Sequence, residues 1–208
     1  MKSLAIAIAL IFVVSAAPLS AQDRSLEIAV WGSSVQMQGS NSFEDGFETE
    51  LESGTGLGLT TGIFVTNRLS VEAGVFVLSS DAALDFDGVD QLSLGSIDLV
   101  PITLGAQFHF LGQSRFDPSI GGGVAYVMAE DLESADLTGV GLGAIELDDE
   151  VTLYVNGGLG FQFTPSIGVA LDARYIPYKP VSASSVTGAE EDLDLSPLIL
   201  SAGIRFRF

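Results

Sequence analysis

The residues whose side chains could take part in chemistry are a single histidine and a small set of charged residues that recur inside apolar segments. His109 is the only histidine, and the chain contains no cysteine. A thiol nucleophile, a disulfide framework and a cysteine-based zinc site are therefore excluded. Acid–base catalysis by His109 would need a partner base or nucleophile held beside it, and no second histidine exists. We predict no enzymatic activity, no catalytic residue, no metal site and no cofactor.

The charged set contains as many arginines as acids. Together with His109, its members are spread over most of the chain: Glu27, Glu72, His109, Arg115, Asp117, Asp172, Arg174, Arg205 and Arg207. Four acids and four arginines enclosed in one interior would pair with one another, because an unpaired buried charge is costly and bidentate arginine–carboxylate pairs are favourable. The chemistry expected of this set is therefore ion pairing rather than catalysis.

The elements that must position these residues alternate between apolar and polar positions with a period near two. Such a period predicts β-strands, and no stretch after Ala21 has convincing helical periodicity. Eight strands are predicted at 25–37, 55–66, 69–79, 97–110, 115–128, 151–163, 167–177 and 195–208.

The connections between these strands alternate between short and long. Short turns are predicted at 66–68, 111–114 and 164–166. Of the 27 acids, 21 lie in four stretches at 44–52, 81–90, 130–150 and 190–194, which we interpret as long loops. Short turns at one end and long loops at the other are typical of outer-membrane β-barrels. The sequence therefore predicts an all-β fold, an eight-stranded antiparallel transmembrane barrel of up-and-down topology, with short periplasmic turns and long acidic extracellular loops.

The N-terminal residues indicate export. Lys2 precedes an apolar run from Leu4 to Val14, and small residues follow as far as Ala21. This pattern predicts a signal peptide over 1–21, because the apolar run is shorter than the roughly 20 residues that a membrane-spanning helix needs. The remaining 22–208 would form one outer-membrane domain of a Gram-negative cell, reached through the periplasm. The net charge of −19 argues against nucleic acid as a partner.

Alternation alone leaves open which face of each strand points inward, since a soluble lipocalin-like barrel would show the same pattern in mirror image. After residue 21 the chain has one lysine, Lys179, whereas a soluble barrel's outer face should be rich in charged residues. The apolar class also ends in aromatics, as expected of interfacial girdles. We therefore predict that the polar class, which is rich in glycine, faces the lumen. The nine charged residues named above then form a charge plug at the periplasmic end.

With its residues sorted in this way, the chain resembles the OmpW family of outer-membrane proteins over essentially the whole of 22–208. Three groups of residues carry the resemblance: Val100–Leu104 with Gln107–Phe110, Phe116–Tyr126, and Leu171–Tyr175 with Ser201–Phe208. The resemblance implies a narrow channel that admits small hydrophobic molecules, with release sideways into the membrane. The terminal Phe206 and Phe208 match the signal by which outer-membrane barrels engage the barrel-assembly machinery. Outer-membrane lipid and lipopolysaccharide are the other expected partners.

The upper half of the lumen class is almost entirely apolar and forms the predicted binding site for small hydrophobic solutes. We call these residues the apolar upper lumen: Val35, Met37, Phe76, Leu78, Ile97, Leu99, Val127, Tyr154, Ile176 and Ile199. Such a site suits an apolar ligand of small size. Two alternatives stay open. The side chains could meet and fill the upper core, or the barrel could be a structural or adhesin-like protein that acts through its loops.

Overall fold

The computed structural model describes ten stretches of the chain: 26–37, 49–51, 53–86, 89–112, 114–129, 145–147, 149–179, 181–184, 190–192 and 195–208. For 49–51, 81–97, 145–147, 181–184 and 190–192 only the backbone is described. The predicted signal peptide and most of the acidic stretches lie outside the described residues.

The described residues form strands that cover nearly the whole of the predicted barrel. In chain order they are β1 (Leu26–Met37), β2 (Thr49–Leu51), β3 (Gly54–Thr66), β4 (Leu69–Phe86), β5 (Val89–His109), β6 (Phe116–Ala129), β7 (Ile145–Leu147), β8 (Glu150–Gln162), β9 (Ile167–Tyr175), β10 (Val181–Ser184), β11 (Glu190–Asp192) and β12 (Pro197–Arg207). In the part of the chain that the structure covers, no helix is long and apolar enough to cross a membrane.

The eight long strands pair in sequence and close on themselves. Their order is β4-β3-β1-β12-β9-β8-β6-β5, and a β4–β5 pairing completes the ring. Every pairing is antiparallel, including β1 with β12 at the closing seam. The predicted fold, an eight-stranded antiparallel barrel of up-and-down topology, is confirmed. Closure leaves no unpaired edge, which matters because an unsatisfied backbone group in lipid costs several kcal/mol.

The hairpin of β4 and β5 is longer than the sequence indicated. The stretch 81–90 was predicted as part of an acidic loop, but β4 continues to Phe86 and β5 begins at Val89. Pairing extends to Phe86↔Val89, with register shifts near Ala83 and Leu84. The loop prediction is therefore wrong for this stretch. Acidic residues usually mark loops, but a strand that continues beyond the bilayer into water has no apolar face to maintain.

The two faces of the strands differ in exposure as well as in chemistry. In β9 exposed and buried residues alternate strictly, with Leu171 58% exposed and Arg174 only 1% exposed. The outward side chains include the aromatic residues near the short-turn end, such as Phe108 and Phe110, whose rings meet edge to face at 5.4 Å. The apolar class thus covers the outer wall, and the polar class with its glycines points into the lumen.

Candidate functional site

The apolar upper lumen forms one buried cluster. Val35, Phe76, Leu78, Leu99, Val127, Tyr154, Ile176 and Ile199 are each at most 2% exposed and pack together, and Met37 packs against them. Ile97 lies on β5, where it pairs with Ser80, but its side chain is outside the described residues. The structure therefore brings nine of the ten predicted residues into a single apolar compartment at the long-loop end.

The same cluster contains larger residues that the sequence prediction missed. Trp31 lies on the same face of β1 as Val35, so strand parity predicts that it faces the lumen, but it was left out of the predicted apolar upper lumen. Tyr178 and Leu195 are fully buried in the cluster although they lie beyond the strand ends. The amides of Leu195 and Ser196 both donate to the Tyr178 carbonyl, at 3.0 and 3.1 Å, which holds this pair over the apolar compartment. Tyr178 lies beyond the predicted strand 167–177, so strand parity gives no signal for it, whereas Leu195 begins the predicted strand 195–208 and shares the parity of Ile199.

An ion pair spans the full width of the lumen below this compartment. Arg174 Nη2 donates to Glu72 Oε1 at 2.8 Å, and Arg174 Nη1 donates to Thr103 Oγ1 at 2.9 Å. Glu72 lies on β4 and Arg174 on β9, four strands apart in either direction around the ring. Gln107 Nε2 donates to the second Glu72 oxygen at 2.9 Å. The lumen is therefore crossed by a hydrogen-bonded ion pair at this level.

Arg174 also marks the boundary between the apolar and charged parts of the lumen. Its guanidinium lies 4.8 Å from the ring centre of Phe76 and 4.9 Å from that of Tyr154, so it contacts an aromatic ring on two sides. Such contacts favour a cation, the more so where water is excluded. A glycine lies against each of these side chains: a Cβ at Gly58 would overlap the Phe76 ring, and one at Gly105 would lie 2.5 Å from Tyr154 Oη. Glycine is required at both positions by this close approach.

A second group of ion pairs fills the short-turn end. Asp117 is its centre: Arg205 Nη1 and Arg207 Nη2 lie 3.1 and 3.5 Å from Asp117 Oδ2, and His109 Nδ1 lies 3.0 Å from Asp117 Oδ1. Glu27 Oε2 accepts from Arg207 Nη2 at 2.8 Å. His109 Nε2 and Ser70 Oγ are 3.0 Å apart, so both ring nitrogens have protein partners.

Arg115 does not belong to this group, and its inclusion in the charge plug is wrong. It precedes the start of β6 at Phe116, where strand parity no longer sets the direction of a side chain. The residue is exposed, its Nε donates to the Gln162 carbonyl at 3.1 Å, and its guanidinium lies 5.4 Å from the ring centre of Phe161. The charge network, as we call the set that remains, consists of half-buried Glu27 and the buried residues Glu72, His109, Asp117, Asp172, Arg174, Arg205 and Arg207.

The ladder between β4 and β5 is interrupted beside Arg174. Its residue pairs stop at Val75↔Ile102 and resume in the same register at Leu78↔Leu99, so Phe76 and Val77 have no ladder partners there. Pro101, opposite Phe76, has no N–H to donate, whereas its pairing with Val127 on β6 is intact. The β4–β5 ladder therefore has a gap of two residue pairs at the height where the apolar compartment ends.

A comparison with models of protein families covers every strand described above. The family model "OmpW family" matches residues 19–208, which includes all of the strands described above. The chain belongs to the OmpW family. This membership confirms the resemblance seen in the sequence and identifies the chain as an outer-membrane β-barrel. Among the residues that the structure covers, no group of three or more His, Asp or Glu side chains could hold a metal ion.

Solved structures similar to this OmpW-family chain share its fold. OprG from Pseudomonas aeruginosa is 19% identical, with a TM-score of 0.71 over 89% of this chain and 95% of that one. The outer-membrane protein AlkL, solved in lipid bilayers, is 21% identical, with a TM-score of 0.64 over 92% and 94%. Neisserial surface protein A is 14% identical, with a TM-score of 0.53 over 90% and 98%. No curated protein sequence matched the chain in the corresponding comparison.

Proposed function

We propose that this OmpW-family barrel is a passive pathway by which small hydrophobic molecules cross the lipopolysaccharide leaflet. They enter the apolar upper lumen from the cell exterior and leave sideways into the membrane. The observation that carries the proposal is the abrupt change of lumen chemistry at Arg174, which is 1% exposed. Above it the inward side chains form an apolar cluster, and below it they form ion pairs.

The charge network makes a straight route to the periplasm unfavourable. A solute continuing downward would have to separate Arg174 from Glu72 and then disrupt the pairs around Asp117. Leaving a buried charge without its partner costs about 3–5 kcal/mol. An apolar solute offers no group that could replace the broken pairs. The charge network therefore acts as the floor of the pathway.

The gap beside Pro101 supports a sideways exit at that floor. Phe76, one of the apolar cluster, stands at the gap, and Val77 next to it faces outward and is 42% exposed. A solute resting on the Arg174 level is thus separated from the acyl chains by a part of the wall that lacks two ladder pairs. Fewer backbone hydrogen bonds have to be broken there than at any fully paired level.

A reversible covalent link across the gap tests this route. Val77→Cys combined with Val100→Cys would join the two unpaired positions, and the chain has no other cysteine. The matched control is Val75→Cys with Ile102→Cys, which joins a pair that the ladder already holds. The measurement is the fluorescence rise of an apolar naphthylamine dye, which lipopolysaccharide excludes, in Gram-negative cells that produce each variant.

We expect oxidation to slow dye entry through the gap variant, a reductant to restore it, and the control pair to behave like the unmodified barrel. Equal entry through the oxidised and reduced gap variant would reject the sideways exit. Dye entry no faster than in cells without the barrel would reject the pathway itself. Heat-modifiable migration on a detergent gel verifies that each variant is folded.

The same proposal assigns the partners of the barrel. Its outward apolar face contacts outer-membrane lipid and lipopolysaccharide, and Phe206 and Phe208 on the closing strand engage the barrel-assembly machinery. Small hydrophobic solutes are its cargo, and no enzymatic step is included.

A further inference from the structure

Buried polar atoms without a hydrogen-bond partner are concentrated on one patch of the lumen wall. Tyr154 Oη, Asn156 Oδ1, Asp172 Oδ1 and Arg174 Nε are four of the six such atoms in the part of the chain that the structure describes. They come from neighbouring inward positions of β8 and β9, where Asn156 pairs with Arg174. All four residues are at most 8% exposed. Buried polar groups are normally hydrogen-bonded, so this concentration requires an explanation.

The patch lies where the apolar cluster meets the charge network. Tyr154 belongs to the cluster and contacts Arg174 through its ring. Asn156 Nδ2 donates to Asp172 Oδ2 at 2.8 Å, which fixes its amide so that Oδ1 remains available as an acceptor. Arg174 Nε and Asp172 Oδ1 face each other at 3.5 Å without a hydrogen bond between them. The unused bonding capacity is therefore part of the floor of the apolar compartment.

Glycines on the adjacent wall leave room for these atoms. A Cβ at Gly105 would lie 2.5 Å from Tyr154 Oη, and one at Gly121 would lie 2.6 Å from Asn156 Oδ1. Both glycines face inward, Gly121 on β6, which neighbours β8 in the ring, and Gly105 on β5, the next strand beyond β6. Each of the two polar atoms therefore lies against a position that has no side chain.

The chemistry of the four atoms selects a hydroxyl group. Asn156 Oδ1 and Asp172 Oδ1 accept hydrogen bonds, Arg174 Nε donates one, and the Tyr154 hydroxyl does either. A ligand hydroxyl both donates and accepts, so it could bond to an acceptor and a donor of the patch at once. A carboxylate would be repelled by Asp172 and Glu72, and an ammonium group could not accept from Arg174. An ether or a hydrocarbon would leave the acceptors unsatisfied, at the usual cost of a buried unpaired polar group.

We propose that the floor of the apolar upper lumen is a hydroxyl-binding subsite, formed by Tyr154, Asn156, Asp172 and Arg174, which selects small apolar alcohols and phenols. The hydroxyl lies against these residues, and the hydrocarbon part lies among the apolar side chains above. This inference rests on the proposed function, since it requires that apolar molecules reach the upper lumen. It adds to that function a preference among such molecules.

Three probes of similar size separate the effect of donating a hydrogen bond from that of accepting one: phenol donates and accepts a hydrogen bond, anisole only accepts one, and toluene does neither. Binding to the full barrel in lipid nanodiscs is measured by titrating the NMR signals of lumen side chains. The lipid-phase concentration of each probe is determined in nanodiscs without protein. We expect phenol to bind about fivefold more tightly than anisole or toluene, the effect of one net hydrogen bond. Intermolecular contacts should place its ring beside Phe76 and Leu99.

Tyr154→Phe removes an oxygen that has no protein partner, so it is the variant least disturbing to the fold. We expect it to reduce the ratio of phenol to toluene affinity about fivefold. The matched control is Tyr126→Phe, whose hydroxyl bonds to Asp149 at the rim instead of facing the lumen. That variant should keep the wild-type ratio.

The outcomes distinguish this subsite from the function on which it rests. If toluene and phenol both bind in the lumen with equal affinity, or Tyr154→Phe leaves their ratio unchanged, the polar atoms bind water only and the subsite is rejected. If none of the three probes contacts Phe76 or Leu99, the pathway for hydrophobic molecules fails instead.

Discussion

Arg174 and Glu72 form an ion pair across the full diameter of the barrel, with Nη2 and Oε1 2.8 Å apart although the two residues are 102 positions apart in the chain. The pair joins strands that have no backbone contact with each other. In an eight-stranded barrel the interior is only wide enough for side chains to fill it, so one pair of long side chains is sufficient to cross it. The pair thus both stabilises the barrel and closes its lumen at this level.

Neutralising one partner of this pair should destabilise the barrel. Glu72→Gln leaves the guanidinium of Arg174 buried with only Asp172 nearby, at 3.5 Å, and we expect a loss of about 3 kcal/mol in the free energy of unfolding. Reversible unfolding in phospholipid vesicles measures it, followed by the fluorescence of Trp31, the sole tryptophan. Glu150→Gln is the control, because its oxygen accepts the Lys179 amide at the rim and takes no part in the charge network. An equal effect of both substitutions would contradict this role of Glu72.

Arg207 in the charge network and exposed Arg115 should contribute unequally to stability, which is the second prediction. Arg207→Gln removes the bonds to Glu27 and Asp117 and the contact with the Phe64 ring at 5.1 Å. We expect it to lower the free energy of unfolding by about 2–3 kcal/mol. Arg115→Gln should change it by less than about 1 kcal/mol, since Arg115 is exposed and loses only the hydrogen bond to the Gln162 carbonyl and the contact with the Phe161 ring among the contacts described above. The same unfolding measurement compares the two variants. A larger effect at Arg115 than at Arg207 would contradict the exclusion of Arg115 from the charge network.

Much of the architecture follows from strand parity, and the limits of the sequence prediction follow from what parity omits. Alternation placed Phe76 and Arg174 on the lumen face, and the strand bounds mostly agree to within one or two residues. It could not name Glu72 as the partner of Arg174, because partners across a lumen depend on the stagger of strands that never touch. Tyr178 and Arg115 lie beyond strand ends, where a period of two no longer applies.

Close approach between Gly58 and Phe76 gives a third prediction. Gly58→Ala introduces a Cβ that overlaps the Phe76 ring, and we expect a loss of about 1–3 kcal/mol in the free energy of unfolding, as for other overpacked sites. Phe76→Leu in the same chain should recover part of the loss. Gly32→Ala is the control, since its Cβ would point outward with its nearest neighbour, the Ala202 carbonyl, at 3.9 Å. If the two alanine variants lose equal stability, the ring is not held against Gly58.

The apolar upper lumen gives the fourth prediction, in terms of transport. Leu78 is 1% exposed within the apolar cluster, so Leu78→Asp places a charge on the proposed route. We expect entry of the naphthylamine dye into cells to fall at least about tenfold, because a charge in an apolar site is strongly unfavourable. Leu78→Met keeps the volume and the apolar character and should retain most of the entry. Unchanged entry through a folded Leu78→Asp barrel would support a filled upper core instead.

The closing seam of the barrel has a consequence for assembly. Glu27 on β1 faces Arg207 across the β1–β12 pairing, and Arg205 lies 3.4 Å from the same carboxylate. If β12 paired with β1 in a register shifted by one residue, both guanidinium groups would point into lipid. A shift of two residues would draw Arg207 or Arg205 away from both Glu27 and Asp117. Only one register of β12 against β1 therefore keeps both arginines paired, so these charges favour that register when the barrel closes.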